Sequence, residues 1–348
     1  MKMKALVWYG KGEIRYEDKE VPELGDDEIL VKIAFAGICG AEMHIIDGRV
    51  DPIAINAAPP PQVLGHEFSG TVAKAGKEVS GFREGEKVTA HPWGSCGKCY
   101  FCKQAQEHFC TNAFNVLTSP RGAAYAEYTV LKASQVYKLP EGVSLKSAAL
   151  AEPFSIAIHA VDLSMIRSGY TVAILGGGTI GLCCLQIAQH SGAALTILSD
   201  PIESRLKVAK GLGADIVVNP TKENLKKAIK KATGDLGVDT CIEAAGIEAT
   251  CRETVSLTKN CGTVVMVGAN LEMMVEMSPF EIVMREVKVQ GSHWSPYSFN
   301  RTLSMLNKLD TDSLITHIFP FSEVQKALEV HRNQEGIKIL LTPDGYPS

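Results

Sequence analysis

Four cysteines lie close together in the sequence, and their spacing is typical of a metal site. Cys96, Cys99 and Cys102 stand in the segment CGKCYFC, and Cys110 follows after seven intervening residues. Four thiolates on one loop complete the tetrahedral shell that Zn2+ prefers and leave no position for water. The spacing therefore predicts a structural zinc site rather than four unrelated thiols.

A second set of possible zinc ligands is dispersed along the chain. It comprises Cys39 in GICGAEMH, His66 and Glu67 in GHE, and Glu152 in AEP. One thiolate, one imidazole and one carboxylate make three protein ligands and leave a fourth position for water or substrate, as catalytic zinc requires. The set predicts a catalytic zinc site, and the sequence does not decide whether Glu67 or Glu152 is the third ligand.

A glycine motif predicts a dinucleotide site. Gly176, Gly178 and Gly181 form GxGxxG directly after the apolar run at 172–175 and directly before a helical pattern. In this context the glycines permit a tight turn, a close approach to a pyrophosphate and close helix-strand contact, while the helix N-terminus offers N–H groups to the phosphates.

The residues after this motif favour NAD over NADP. Asp200 closes the next apolar strand, where its carboxylate can accept both ribose hydroxyls and would repel a 2′-phosphate. Arg205 lies nearby and leaves NADP open as an alternative. The full set of candidate cofactor-binding residues is Gly176, Gly178, Thr179, Ile180, Gly181, Asp200, Arg205 and Val267.

The hydrophobic pattern divides the chain into two kinds of structure. From Lys4 to about Leu139, short apolar runs separated by Gly, Pro and acidic turns predict a mostly antiparallel β domain. From about Ser168, strands and helices alternate and predict βαβ units with a parallel sheet. The apolar stretch at 171–188 is too rich in glycine for a membrane span. The tail ends in an apolar run at 337–341 whose packing the periodicity does not reveal.

Length and composition exclude several classes of protein. A chain of 348 residues with 45% hydrophobic and 21% charged residues predicts a globular protein of two domains. The net charge of −4 and the scattered lysines argue against nucleic-acid and membrane partners. The ten cysteines lack a disulfide-like pattern, which predicts a reducing compartment, the cytoplasm.

Taken in order, these motifs resemble the medium-chain, zinc-dependent alcohol dehydrogenase family, most of all its polyol (sorbitol-type) and threonine dehydrogenases. The resemblance implies an α/β protein with a GroES-like β-barrel catalytic domain at 1–152 and 292–348. It also implies a Rossmann doubly wound parallel-sheet domain at 153–291, with the active site between the two. Members form dimers or tetramers, commonly by edge pairing of the Rossmann sheets, and the strand near Lys288 to Ser292 is a candidate edge.

The resemblance also implies a proton path, and this chain departs from it. In the family, a Ser or Thr two residues after the ligand Cys passes the proton through the cofactor ribose to a His at the fifth position. This chain has His44 at that position but Ala41 in place of the hydroxyl. An ordered water, Glu42 or Glu152 could replace the missing link. The candidate catalytic residues are His44, Glu67 and Glu152.

The sequence thus predicts an NAD-dependent zinc enzyme that oxidises a secondary hydroxyl of a polyol, sugar alcohol or related small alcohol. A threonine or amino-alcohol dehydrogenase is the nearest alternative. A zinc-stabilised structural or binding protein without catalysis is a second one, and Ala41 is the feature that favours it. The loop at 51–61, rich in Pro and Ala, could shape the opening of the substrate pocket.

Overall fold

The structure is a computed structural model that describes residues 1–50, 58–115, 121–268 and 273–346. Most of the loop predicted to shape the substrate pocket, at 51–61, lies outside the described residues. The chain divides into two compact units. Unit 1 comprises Met1–Glu152 and Phe299–Ser348, and unit 2 comprises Pro153–Ser298.

The first part of unit 1 is mostly β-structure, as predicted. Its strands and helices are β1 (Lys2–Gly10), β2 (Glu13–Glu20), β3 (Glu28–Gly37), α1 (Gly40–Ile46), β4 (Gln62–Val63), β5 (Glu67–Ala75), β6 (Lys87–Ala90), β7 (Trp93–Gly94), α2 (Tyr100–Lys103), β8 (Phe114–Asn115), β9 (Tyr128–Lys132), β10 (Val136–Lys138) and α3 (Leu145–Ala148).

Unit 2 alternates strands with helices, and its first helix begins two residues before the unit itself. The elements are α4 (Ala151–Ser164), β11 (Thr171–Leu175), α5 (Thr179–His190), β12 (Leu195–Ser199), α6 (Glu203–Gly211), β13 (Ile216–Val218), α7 (Leu225–Thr233), β14 (Val238–Glu243), α8 (Glu248–Leu257), β15 (Thr258–Met266), α9 (Pro279–Arg285) and β16 (Lys288–Gly291).

The chain then returns to unit 1. The closing elements are α10 (Phe299–Met305), β17 (Ile315–Pro320), α11 (Val324–Arg332) and β18 (Lys338–Thr342).

In unit 1, the main sheet runs in the order β10-β6-β5-β3-β18-β17, with β9 paired to β3. All of its pairs are antiparallel except β17 with β18. The tail strand β18 therefore packs inside the sheet, between β3 and the edge strand β17, where its alternate apolar side chains join the barrel core. This placement brings residues from both ends of the chain together.

In unit 2, the described strands form a parallel sheet in the order β13-β12-β11-β14-β15-β16. This is the doubly wound arrangement predicted for a Rossmann domain. The strand order reverses between β11 and β14, and ligands of such sheets bind at the carboxyl ends of the strands beside that point. Strand β16 lies at one edge of the sheet among the described residues, as predicted.

Membrane-spanning helices were sought across the described residues. None of the helices there has both the length and the apolar character that crossing a bilayer needs.

Candidate functional site

Three segments bring the dispersed ligands together, and all of these ligands belong to unit 1, which ends its first part at Glu152. Cys39 is the N-cap of α1, His66 precedes β5, and Glu152 lies in the first turn of α4. Strand β3 ends beside the start of β5, where Gly37 pairs with Glu67. A side chain on Gly37 would overlap the Glu67 carboxylate, so glycine leaves the room that this carboxylate occupies.

The predicted ligand atoms lie in two groups that share His66, each compact enough to hold a metal ion. Those of His66, Glu67 and Glu152 are all within 4.8 Å of one another. A second group, with the same limit, joins Cys39 and Glu42 to the same His66. The carboxylates and the imidazole are buried, and the exposed fraction of each of these residues is 5% or less.

Two buried neighbours complete this cluster, and the sequence reasoning did not identify either in its present role. Glu42 was considered only as a replacement proton acceptor, yet its Oε1 contacts Nδ1 of His66. Lys338 was not considered at all. Its Nζ donates to Oε2 of Glu67 at 2.5 Å and to the carbonyl oxygen of Ile38 at 3.0 Å. A charged residue within an otherwise apolar strand was the one signal that could have found it.

The electrostatics of the cluster suit a divalent cation. The pKa of Glu152 is raised to about 7, mainly by burial; the charge of His66 opposes this shift and that of Glu67 contributes to it. Burial also raises the pKa of the Cys39 thiol, again with a contribution from Glu67. Oε2 of Glu42 is buried without a hydrogen-bond partner among the described residues. A bound Zn2+ would compensate these charges and lower both pKa values, so the donor set fits the ion.

His66 has the environment of an oriented metal ligand. Burial alone would lower the pKa of its imidazole, but the Glu42 carboxylate and the Cys39 sulfur raise it well above its ordinary value. A carboxylate on one ring nitrogen fixes the tautomer and leaves the other nitrogen for the metal. Glu42 thus orients His66 from the first turn of α1.

The four-cysteine loop also converges. The Sγ atoms of Cys96, Cys99, Cys102 and Cys110 all lie within 4.8 Å of one another. Backbone N–H groups of Cys102 and Thr111 lower the pKa of Cys99 to about 6, whereas burial and the neighbouring thiols raise that of Cys102. Four sulfurs this close cannot all become thiolates without a cation between them, and a tetrahedral Zn2+ meets that need.

The glycine motif in unit 2 has the geometry that a pyrophosphate requires. A Cβ on Gly181 would overlap the carbonyl oxygen of Gly176, so helix α5 packs too closely for any other residue. A Cβ on Gly178 would meet nothing within 4 Å, which leaves open space at the N-cap of α5. Thr179 and Ile180 form the first turn of this helix, whose free N–H groups attract phosphate.

Asp200 lies directly after β12, beside this motif. Its Oδ2 accepts from the N–H of Gly177 at 2.7 Å, and its Oδ1 accepts from that of Ile202 at 2.8 Å. The Nη1 atom of Arg205 is 3.6 Å from Oδ2. Val267 follows β15 at the same edge of the sheet, and its N–H donates to the carbonyl oxygen of Glu243.

His44 lies in α1, five residues after Cys39. It is partly buried, and burial lowers the pKa of its imidazole, assisted by the charge of Arg49 and opposed by that of Asp47. Ala41, in the same helix, is exposed and carries no proton-transfer group. His44 is therefore neutral near pH 7, as a base must be.

A metal-ligand cluster in one unit and a dinucleotide fingerprint in the other define a metal-dependent oxidoreductase that uses a nicotinamide cofactor. Residues 25–141 match the family described as alcohol dehydrogenase GroES-like domain, and residues 179–308 match zinc-binding dehydrogenase. The chain belongs to the medium-chain, zinc-dependent alcohol dehydrogenase family, as its motifs predicted.

Individual relatives agree over nearly the full length. Sorbitol dehydrogenase of Halalkalibacterium halodurans is 31% identical, over 98% of this chain and 99% of the relative. D-arabitol-phosphate dehydrogenase of Enterococcus avium is 32% identical, over 95% of this chain and 94% of the relative. A solved structure from Sinorhizobium meliloti, described as a zinc-binding dehydrogenase bound to NADP, is 33% identical. It has a TM-score of 0.92 and covers 99% of this chain and 100% of that one.

Proposed function

We propose that this protein transfers hydride between a secondary hydroxyl of a polyol, sugar alcohol or related small alcohol and NAD. The observation that carries the proposal is a pair of ligand groups that share the buried His66, one with Cys39 and Glu42 and the other with Glu67 and Glu152. The substrate class rests on relatives that are named for sorbitol and for D-arabitol phosphate. A carboxylate in place of a second cysteine also distinguishes this ligand set, as it does in the polyol branch.

Each residue of the cluster has a proposed task. Cys39 and His66 bind the metal, one carboxylate completes the set, and Glu42 fixes the orientation of His66. Zinc bound there would supply Lewis-acid chemistry, which lowers the pKa of a hydroxyl in oxidation and polarises a carbonyl in reduction. His44 accepts the proton, because its lowered pKa keeps the imidazole neutral. A pH–rate profile that is unchanged in His44→Ala would contradict this role.

For the cofactor we propose NAD, bound at the motif that begins at Gly176. Both oxygens of Asp200 already accept backbone N–H groups, which holds the carboxylate rigid at the end of β12. A fixed negative charge there disfavours a 2′-phosphate. Arg205 is the one nearby group that would favour NADP, and its Nε is buried without a hydrogen-bond partner among the described residues.

The proposed function is tested by one set of measurements on the purified protein. Zinc is quantified per chain, and reduction of NAD and of NADP is assayed against polyols, simple secondary alcohols and hydroxy amino acids. We expect two zinc ions per chain and NAD-dependent oxidation of polyols. Preference for threonine would instead identify an amino-alcohol dehydrogenase, and a single zinc without turnover would identify a non-catalytic protein.

Of the two candidate carboxylates, we propose Glu152 as the third zinc ligand. Glu67 already forms a buried ion pair with Lys338, whereas burial raises the pKa of Glu152 to about 7, so Glu152 gains most from a nearby cation. We therefore expect Glu152→Gln to lower the zinc content from two ions per chain to one, as measured by atomic absorption.

The matched control removes Glu67 together with its partner. Glu67→Gln alone would leave the Lys338 ammonium buried and unpaired, which is strongly destabilising. The double variant Glu67→Gln/Lys338→Met avoids this, and we expect it to retain two zinc ions. Loss of zinc from the double variant, with retention in Glu152→Gln, would show that Glu67 is the ligand.

We also propose a homodimer or homotetramer in the cytoplasm. Strand β16 is exposed along its length, and nearby Phe280 and Val283 in α9 are each 71% exposed. An open sheet edge beside exposed apolar side chains favours pairing with a second copy. All ten cysteines lie in the described residues and are free thiols, as expected in a reducing compartment. A monomeric mass by light scattering would contradict the oligomer.

A further inference from the structure

A buried glutamate in unit 2 has no task in the chemistry described above. Glu243 is the last residue of β14 and has no exposed surface. Its Oε1 accepts three hydrogen bonds, from the N–H groups of Ala245 and Gly246 at 3.0 and 2.9 Å and from Thr250 Oγ1 at 2.6 Å. A buried carboxyl group that ends a strand and binds the loop beyond it holds that loop in one conformation.

The backbone of the same residue holds a second loop. The carbonyl oxygen of Glu243 accepts from the N–H groups of Val267 and Gly268, at 2.8 and 3.0 Å. A Cβ on Gly268 would come within 2.5 Å of Glu243 Oε2, so only glycine lets this loop pack against the carboxyl group. Glu243 thus joins the loop after β14 to the loop after β15.

Both loops lie at the edge of the sheet where the dinucleotide binds. Glu243 is paired with Leu175 across β14 and β11, and the N–H of Ala244 donates to the carbonyl oxygen of Leu175 at 2.8 Å. The next residue, Gly176, has φ of +109°, and a Cβ on it would lie 2.9 Å from the nitrogen of Ala245. The loop that Glu243 holds therefore packs directly against Gly176, the first glycine of the motif.

We propose that Glu243 is a positioning residue for the dinucleotide, and that it sets cofactor affinity by fixing the loop at 244–247 behind Gly176. The proposal rests on the cofactor site of the proposed function. If the loop relaxes, Gly176 loses the support that defines its turn, and the N–H groups at the start of α5 no longer meet the pyrophosphate in a fixed geometry. Binding of zinc depends on unit 1 residues and is unaffected.

The test compares the two ends of one strand. Asp239 lies near the other end of β14, where its Oδ2 accepts from the N–H and Oγ1 of Thr171 at 2.9 and 2.8 Å. Glu243→Ala and Asp239→Ala therefore each remove a carboxylate that holds backbone in place, but only the first is at the cofactor edge. The dissociation constant of NADH is measured by fluorescence titration of the zinc-replete protein, with thermal unfolding alongside.

We expect Glu243→Ala to raise the NADH dissociation constant about 10- to 100-fold, the effect of losing a few hydrogen bonds, with zinc content unchanged. Glu243→Gln should stay within about threefold of wild type, because its amide oxygen can accept the same three bonds. Asp239→Ala should lower the unfolding temperature and leave the NADH dissociation constant unchanged. If Glu243→Ala does not fold, Thr250→Val removes one of the three donors and should weaken binding about threefold.

Equal NADH affinity in wild type and Glu243→Ala, or equal weakening by Asp239→Ala, would overturn the proposal and leave the proposed function intact. If Glu243→Ala does not fold, an unchanged NADH affinity of Thr250→Val would likewise overturn the proposal. Absence of NADH binding by the wild-type protein would overturn the cofactor assignment, and this inference with it.

Discussion

Replacing His66 with alanine is expected to leave the protein with one zinc ion per chain and to lower kcat/KM by about a thousandfold or more. His66 belongs to both ligand groups of unit 1, so no other side chain holds the same place. The Lewis acidity that the ion supplies corresponds to several kcal/mol of transition-state stabilisation, and each 1.36 kcal/mol is a factor of ten in rate. Zinc analysis and steady-state kinetics on the best polyol measure both effects.

Two further variants show whether this loss comes from the metal. Glu42→Gln keeps a side chain of the same shape against His66 but removes its charge, and we expect metal affinity to fall about 10- to 100-fold. His190→Ala changes a histidine at the end of α5 in unit 2 and should alter neither zinc content nor rate. Full activity of His66→Ala with a single zinc ion would exclude a catalytic metal at this cluster.

Replacing Cys99 with serine is expected to release the other zinc ion and to lower the unfolding temperature of the protein by about 10 °C. Few buried side chains stabilise the lobe around this loop. The short helix α2 has no buried residue, and its first residue, Tyr100, is 71% exposed. We therefore expect metal coordination, rather than burial of apolar side chains, to stabilise this lobe. Thermal unfolding followed by circular dichroism measures the change.

The exposed thiol of Cys261 provides the control. It belongs to unit 2 and not to the cysteine loop, so Cys261→Ser should keep both zinc ions and the wild-type unfolding temperature. Treating wild-type protein with a chelator should reproduce the Cys99→Ser shift. An unfolding temperature that is insensitive to both the variant and the chelator would show that the four sulfurs do not stabilise this lobe.

The parts of the fold that the sequence predicted are those with local signals. The glycines at 176, 178 and 181 need only the strand before them and the helix after them to be interpretable, and the sheet order around them follows from βαβ handedness. The cysteine loop is likewise contained in fifteen residues, from Cys96 to Cys110. In such cases, neighbouring residues alone specify the geometry.

The parts that the sequence did not reveal depend on contacts between distant segments. Lys338 reaches Glu67 across 271 residues, and no periodicity links the two positions. The sequence also did not show which strand pairs with the tail strand β18, because a short apolar run is compatible with several neighbouring strands. The contact of Glu42 with His66 was likewise not evident, because the two residues are 24 positions apart and a glutamate in a first helical turn is often exposed.

The position of β18 between β3 and β17 has a consequence for how the protein matures in the cell. Unit 2 is one continuous segment and can fold as soon as it leaves the ribosome. Unit 1 cannot, because β18, the strand beside β3, and the lysine that pairs with Glu67 both follow unit 2 in the chain. The thiol and carboxylates of the cluster therefore lack this strand and this lysine until unit 2 has been synthesised, and we expect zinc to enter the site only after that point.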